Sequence, residues 1–152
     1  MDISIIQANA EDAAELLELQ KTAYQSEAKL YNDWTIPPLA QTLQEIETEF
    51  ASMVFLKAMR EGKIIGSVRA HISSGTCFVG RLIVHPDYQR KGIGTMLMER
   101  IEEVHSRSER FELFTGAKSA GNIRLYQRLG YRKCREEDLS PKVRLVFMEK
   151  RQ

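Results

Sequence analysis

The segment His85–Gly94, HPDYQRKGIG, carries paired glycines, adjacent cations and no nucleophilic side chain, and it separates an apolar run from a helical pattern. A helix N-terminus leaves four backbone N–H groups unpaired and carries about half a positive charge. Gly92 and Gly94 lack the side chains that would keep a phosphate off those groups, and Arg90 and Lys91 add positive potential. The chemistry that suits this pattern is anion binding by the main chain. Taken alone, the segment equally fits a tight strand-to-helix turn with solvated cations. Two nucleotide motifs are excluded. No Gly-Lys-Ser/Thr closes the loop as in a Walker A sequence, and the third glycine of a dinucleotide fingerprint falls at Leu97. Metal chemistry is not indicated, because Cys77 and Cys134 lie far apart and the three histidines lack ligand spacing.

Periodicity supplies the elements that must position this loop. Residues 3–8 form a β-branched run, and Asn9 caps a helix whose inward positions run from Ala13 through Leu16 and Gln20 to Tyr24. Ser26–Pro38 has no clear period and reads as a structured loop, after which Thr42 and Glu45 make a capping box for a second helix. Met53–Met59 and Ile64–Ile72 read as a hairpin about Gly62, and Ser73–Gly75 turns the chain into Thr76–Val84. The helix after Gly92 places Ile93, Leu97, Ile101 and Val104 on one face. Phe111–Thr115 is a strand, Gly121–Leu129 a short helix closed by Gly130, and Tyr131–Arg135 and Lys142–Glu149 are final strands split by an acidic turn, Glu136–Asp138, and Pro141.

This order predicts an α+β fold in one domain, residues 1–152, with a mixed central sheet of about seven strands flanked by about four helices. The 43% hydrophobic content suits a globular chain, and 22 Lys+Arg against 21 Asp+Glu shows no bias toward nucleic acid or an anionic membrane. With no secretory n-region or membrane-length apolar run and only two cysteines, the expectation is a cytoplasmic protein with reduced thiols.

Two segments carry a resemblance. LIVHPDYQRKGIGTMLM is similar to motif A of the GNAT superfamily of acetyl-CoA-dependent N-acyltransferases, whose loop reads Gln/Arg-x-x-Gly-x-Gly/Ala, and NIRLYQRLGYRK resembles the family's motif B, with a tyrosine just before a Leu-Gly-Tyr/Phe turn. The resemblance implies a sheet that splays between its fourth and fifth strands. It implies that the pantetheine arm of acetyl-CoA runs along Leu82, Ile83 and Val84, and that its pyrophosphate sits on the loop Gln89, Arg90, Lys91, Gly92, Ile93, Gly94 and Thr95. Gly80 suits the bend that starts the splay.

By the same resemblance, Tyr126 corresponds to the general acid for the departing thiolate. A thiol near pKa 8.5 and a phenol near 10 are mismatched by about 1.5 units, which favours a hydrogen bond over full proton transfer. The fourth strand offers no carboxylate to act as base, so Glu112 on the fifth strand, or His71 on the third, is the base candidate. Ser119 stands where many relatives place an asparagine against the cofactor arm, and Asn122 could supply that amide. Tyr24, Tyr31, Trp34 and Pro37 could wall the acceptor pocket, with Glu27 and Asp33 available to an ammonium group. The implied function is N-acetyltransfer from acetyl-CoA, without a metal, to a small-molecule or peptide amine; a homodimer is allowed. The competing readings are a coenzyme A-binding regulatory module without transfer and a transferase for longer acyl groups.

Overall fold

In the computed structural model, which describes residues 2–152, one seven-stranded sheet runs in the order β1-β2-β3-β4-β5-β7-β6. The strands are β1 (Ser4–Gln7), β2 (Val54–Arg60), β3 (Lys63–Ser73), β4 (Thr76–Val84), β5 (Arg110–Gly116), β6 (Arg132–Asp138) and β7 (Arg144–Arg151). All neighbours pair antiparallel except β4 and β5, which are parallel. That exception follows from connectivity, because the helix α5 (Ile93–Val104) carries the chain across the sheet between them. The fold is α+β with a mixed sheet, as the sequence predicts.

Two layers of helix cover the sheet. On one face α5 seats Ile93, Leu97, Met98 and Ile101, all fully buried, against β2, β3, β4 and β5. Burying side chains of this size stabilises the fold by about 1.5–3 kcal/mol each. On the other face α1 (Ala13–Ala23) and α4 (Leu43–Glu49) enclose Leu16, Leu19, Ile46, Phe55 and Ile83. A polar network ties this layer together. Buried Arg69 donates to Gln20 Oε1 at 2.6 Å and to Glu49 Oε1 at 3.0 Å, and Gln20 Nε2 donates to the Pro38 carbonyl at 2.8 Å. The guanidinium lies over the Phe55 ring, 4.5 Å from its centroid, leaving Nε without a partner.

The four helices read from the sequence are α1, α4, α5 and α6 (Ala120–Arg128), but the expected loop Ser26–Pro38 is partly helical. It contains α2 (Gln25–Tyr31), stopped by Asn32 in the left-handed region, and the single turn α3 (Pro37–Ala40). The inward residues Ala28 and Tyr31 are three apart, a signal too short to show as a period. Tyr31 then reaches across the molecule. Its hydroxyl accepts from Lys118 N at 2.7 Å and occupies the space a side chain at position 116 would need, so only Gly116 admits it. The acidic triplet is also not a turn. Glu136 and Asp138 lie in β6 and pair across the ladder with Arg144, at 3.3 and 2.9 Å.

Candidate active site

The pairing of β4 with β5 spans only Thr76–Phe78 against Arg110–Glu112, and beyond it the strands part. Residues 79–84 of β4 therefore keep β3 on one side and have an open edge on the other. A bulge accompanies the separation: Arg69 pairs with Gly80 and Ser67 with Ile83, so β4 carries one extra residue. The residue that absorbs it is Arg81, at φ 50°, and not Gly80, whose φ stays in the ordinary range. Bulging at Arg81 inverts the alternation. Cys77 and Val79 face α5, whereas after the bulge Leu82 and Val84 do so and Ile83 turns to α1. An arginine held in the left-handed region costs on the order of 1–3 kcal/mol.

At the end of β4 the chain makes a short 3₁₀ turn, Pro86–Tyr88, and then the glycine loop. Gln89 Nε2 donates back to the Val84 carbonyl at 3.2 Å. Arg90 (φ 63°) and Gly92 (φ 81°) are left-handed, and Gly92 is the N-cap of α5 with no side-chain cap. Among the described residues, the N–H groups of residues 90–95 find no acceptor within the protein. This is a concave run of free donors at the positive end of a twelve-residue helix. Gly94 faces α6, where a Cβ would lie in ordinary contact with Leu125 Cδ2 at 3.4 Å.

Two cavities meet at the parted strands. The larger, a groove of about 680 Å³, is lined by Leu82, Ile83, Val84, Gln89, Arg90, Gly92, Ile93, Gly94 and Thr95 on one wall and by residues 118–122 of the α6 start, including Ser119 and Asn122, on the other. Lys91 is exposed and does not line it. The smaller, about 180 Å³, lies beyond the gap and includes Tyr126. Tyr24, Glu27, Leu82 and Asn122 line both.

Residues 13–131 match the Acetyltransferase (GNAT) family. The chain belongs to the GNAT acetyltransferase family. Its fold is shared with the PaiA N-acetyltransferase of Thermoplasma acidophilum, solved in complex with coenzyme A, at TM-score 0.82 and 19% identity over 100% of both chains. It is shared equally with the ribosomal-protein-S18-alanine N-acetyltransferase of Escherichia coli, at TM-score 0.83 and 18% identity over 99% of this chain and 94% of that one. The UPF0157 protein YqkA of Bacillus subtilis is 29% identical over 122 residues, 80% of this chain; the chain spans about a third (35%) of that protein's length.

For a GNAT member the carboxylates are placed unexpectedly. Glu112 lines neither cavity: it is buried beside Arg110 and Arg135, which bond both of its oxygens. The reason is strand facing, since Leu113 points toward α5 and α6 and its neighbour must point away. His71 stacks on Phe78 and also lies outside both cavities. Among the described residues, the one carboxylate lining either cavity is Glu27. Ser119 supports it, its Oγ donating to Glu27 Oε2 at 2.6 Å instead of capping α6. Asn122 Nδ2 donates to Thr115 Oγ1 at 3.4 Å. Tyr24, Tyr31 and Pro37 line the smaller cavity, whereas Trp34 is 53% exposed and Asp33 caps Thr35 in solvent.

Among the described residues the Tyr126 hydroxyl has no hydrogen-bond partner, and its ring is buried. Burial pushes its phenol well above the usual tyrosine range, and Tyr24 and Glu27 push it further. Tyr24 is raised by burial too, against the pull of the Arg81 charge. Both phenols are therefore neutral donors near pH 7, beside an ionisable carboxylate. Sequence reading also passed over three cations lining the groove, Lys118, Arg124 and Arg128. The i, i+4 spacing of Arg124 and Arg128, on one side of α6, was the available signal.

Proposed function

We propose that the protein is an N-acetyltransferase that moves the acetyl group of acetyl-CoA to a primary amine by direct attack in a ternary complex. The observation that carries this reading is the junction itself: an open strand edge and a cradle of free N–H groups lead to a point where Glu27 and Tyr126 come together. The residues present fit coenzyme A. The N–H groups of residues 90–95 suit a pyrophosphate, Lys118, Arg124 and Arg128 add charge along the groove, and the unpaired edge at Leu82–Val84 suits an extended amide-bearing arm. Bound acetyl-CoA supplies an acyl group activated as a thioester.

The rest of the chemistry falls to the chain. Glu27 takes the proton the amine must lose, directly or through water, with Ser119 holding its carboxylate in place. An α-amine near pKa 8 carries a protonation handicap of about 1.4 kcal/mol at pH 7, and a lysine-like amine near 10.4 about 4.6 kcal/mol. A main-chain N–H of the Leu82–Val84 edge donates to the carbonyl oxygen as it gains charge. The Tyr126 hydroxyl donates a hydrogen bond to the departing sulfur; its raised pKa makes it a donor and not a source of a free proton. The proton on Glu27 returns to solvent, and the thiolate takes one up on release. The 180 Å³ beyond the junction must house the acceptor, which favours acetyl over long acyl groups.

The test is a panel of amines with acetyl-CoA, read by free-thiol release, beside calorimetric titration of acetyl-CoA. Amine-dependent thiol release is expected. Tight binding of acetyl-CoA with no release on any amine would replace the transferase with a coenzyme A-binding module.

A further inference from the structure

Among the described residues Arg81 is the one cation lining the smaller cavity, and no acidic side chain pairs with it. It forms no ion pair among the described residues, and its charge acts on the buried hydroxyl of Tyr24. The nearby guanidinium of Arg69 repels it and is itself compensated by Glu49 at 3.0 Å. The half-buried guanidinium shares this cavity with apolar Ile36, Leu113, Val143 and Leu145, with the Tyr24, Tyr31 and Tyr126 rings and with the Glu27 carboxylate, to which it is not paired, so its donors are free for an anion. Backbone cost points the same way. If β4 needed only a bulge here, glycine or asparagine would fill the left-handed position with less strain, yet the chain places arginine there.

The second charge lines the same cavity. Leu82, the next residue, lines both cavities, as does Glu27, so a carboxylate at the junction and a guanidinium just beyond it bracket the entrance to the small cavity. A carboxylate and a guanidinium that line one small cavity without pairing suit a molecule carrying both an ammonium and a carboxylate. The apolar walls beyond suit a short hydrocarbon side chain, and a volume of about 180 Å³ limits its size. We infer that the acceptor is a small α-amino acid with an apolar side chain, its amine directed to Glu27 and its carboxylate held by Arg81. This inference rests on the amine-transfer reading above and names the acceptor class for the same site.

The experiment compares matched acceptors on the unaltered protein: apolar α-amino acids, their amides, and the amines lacking the carboxylate, with acetyl-CoA and thiol release as the readout. A fork of donors left unpaired by the wrong ligand discriminates strongly, so kcat/KM for the acid is expected to exceed that for the amide by about 100-fold. In Arg81→Gln this preference ratio falls toward one, and Arg81→Lys retains part of it. A second readout is independent of turnover: calorimetry of the amino acid on protein saturated with coenzyme A, where binding is expected for wild type and at least about tenfold weaker for Arg81→Gln. Amides or simple amines acetylated as well as the acids would overturn the role of Arg81 and leave the transferase standing. Acetyl-CoA binding with no transfer to any amine, and no amino-acid binding, would overturn both.

Discussion

Replacing Glu27 with glutamine removes a charge and almost nothing else. The glutamine carbonyl oxygen can accept the 2.6 Å bond that Ser119 Oγ gives to Glu27, so the side chain keeps its position between the two cavities. What is lost is the ability to take a proton from the amine. General bases contribute roughly 100- to 10,000-fold. For an α-amine near pKa 8, about one molecule in eleven is already neutral at pH 7, so roughly tenfold of the deficit reflects proton removal that solvent performs at high pH. Thiol release at saturating acetyl-CoA is expected to fall by about 100-fold or more in Glu27→Gln at pH 7, and the deficit should shrink by roughly tenfold by pH 10. Burial keeps the Tyr126 phenol protonated across that span, so the change reports on Glu27 and the amine. A variant within about threefold of wild type at pH 7 would refute the assignment. A deficit of equal size at both pH values would make Glu27 a positioning residue.

Tyr126→Phe removes a hydroxyl with no partner among the described residues; kcat is expected to fall about 10- to 100-fold with stability in urea nearly unchanged, since hydrogen bonds to a charged sulfur matter only during transfer. Glu112→Gln should do the reverse, costing about 1–3 kcal/mol of unfolding free energy by breaking its bonds to Arg110 and Arg135 while turnover per folded molecule stays at the wild-type value. Burial pushes the Cys77 thiol up to about 12 and raises Tyr24 and Tyr131, so these groups hold protons in the fold that the unfolded chain releases from about pH 9 upward. Stability is therefore expected to be fully present below that pH and to fall as pH climbs beyond it, measured by equilibrium unfolding. A thiol reagent at pH 8 should titrate exposed Cys134 at once and Cys77 only after denaturation.

Much of the site's frame is local and was legible in residue order. The cap at Asn9, the capping box at Thr42, the glycine loop ahead of α5, and the tyrosine one turn before Gly130 each depend on contacts within a few residues. Such contacts are written directly in the sequence, and with the alternation and helical spacing they carry the fold and the family. The carboxylate was not legible. Glu112 and Glu27 both sit on regular elements, and which one reaches the cavities depends on strand facing and on how α2 docks over the parted sheet.

By itself, then, the chain determines the helices α1, α4, α5 and α6, the β2–β3 hairpin and the donor loop, because short-range hydrogen bonds and apolar periodicity decide them. Only the tertiary structure decides where β4 changes phase. A single bulge at Arg81 exchanges the faces of Leu82, Ile83 and Val84, and nothing in the order of those side chains records it. The pairing of Glu27 with Ser119, and its approach to Tyr126 across residues distant in sequence, likewise arise from long-range packing that local propensity does not encode.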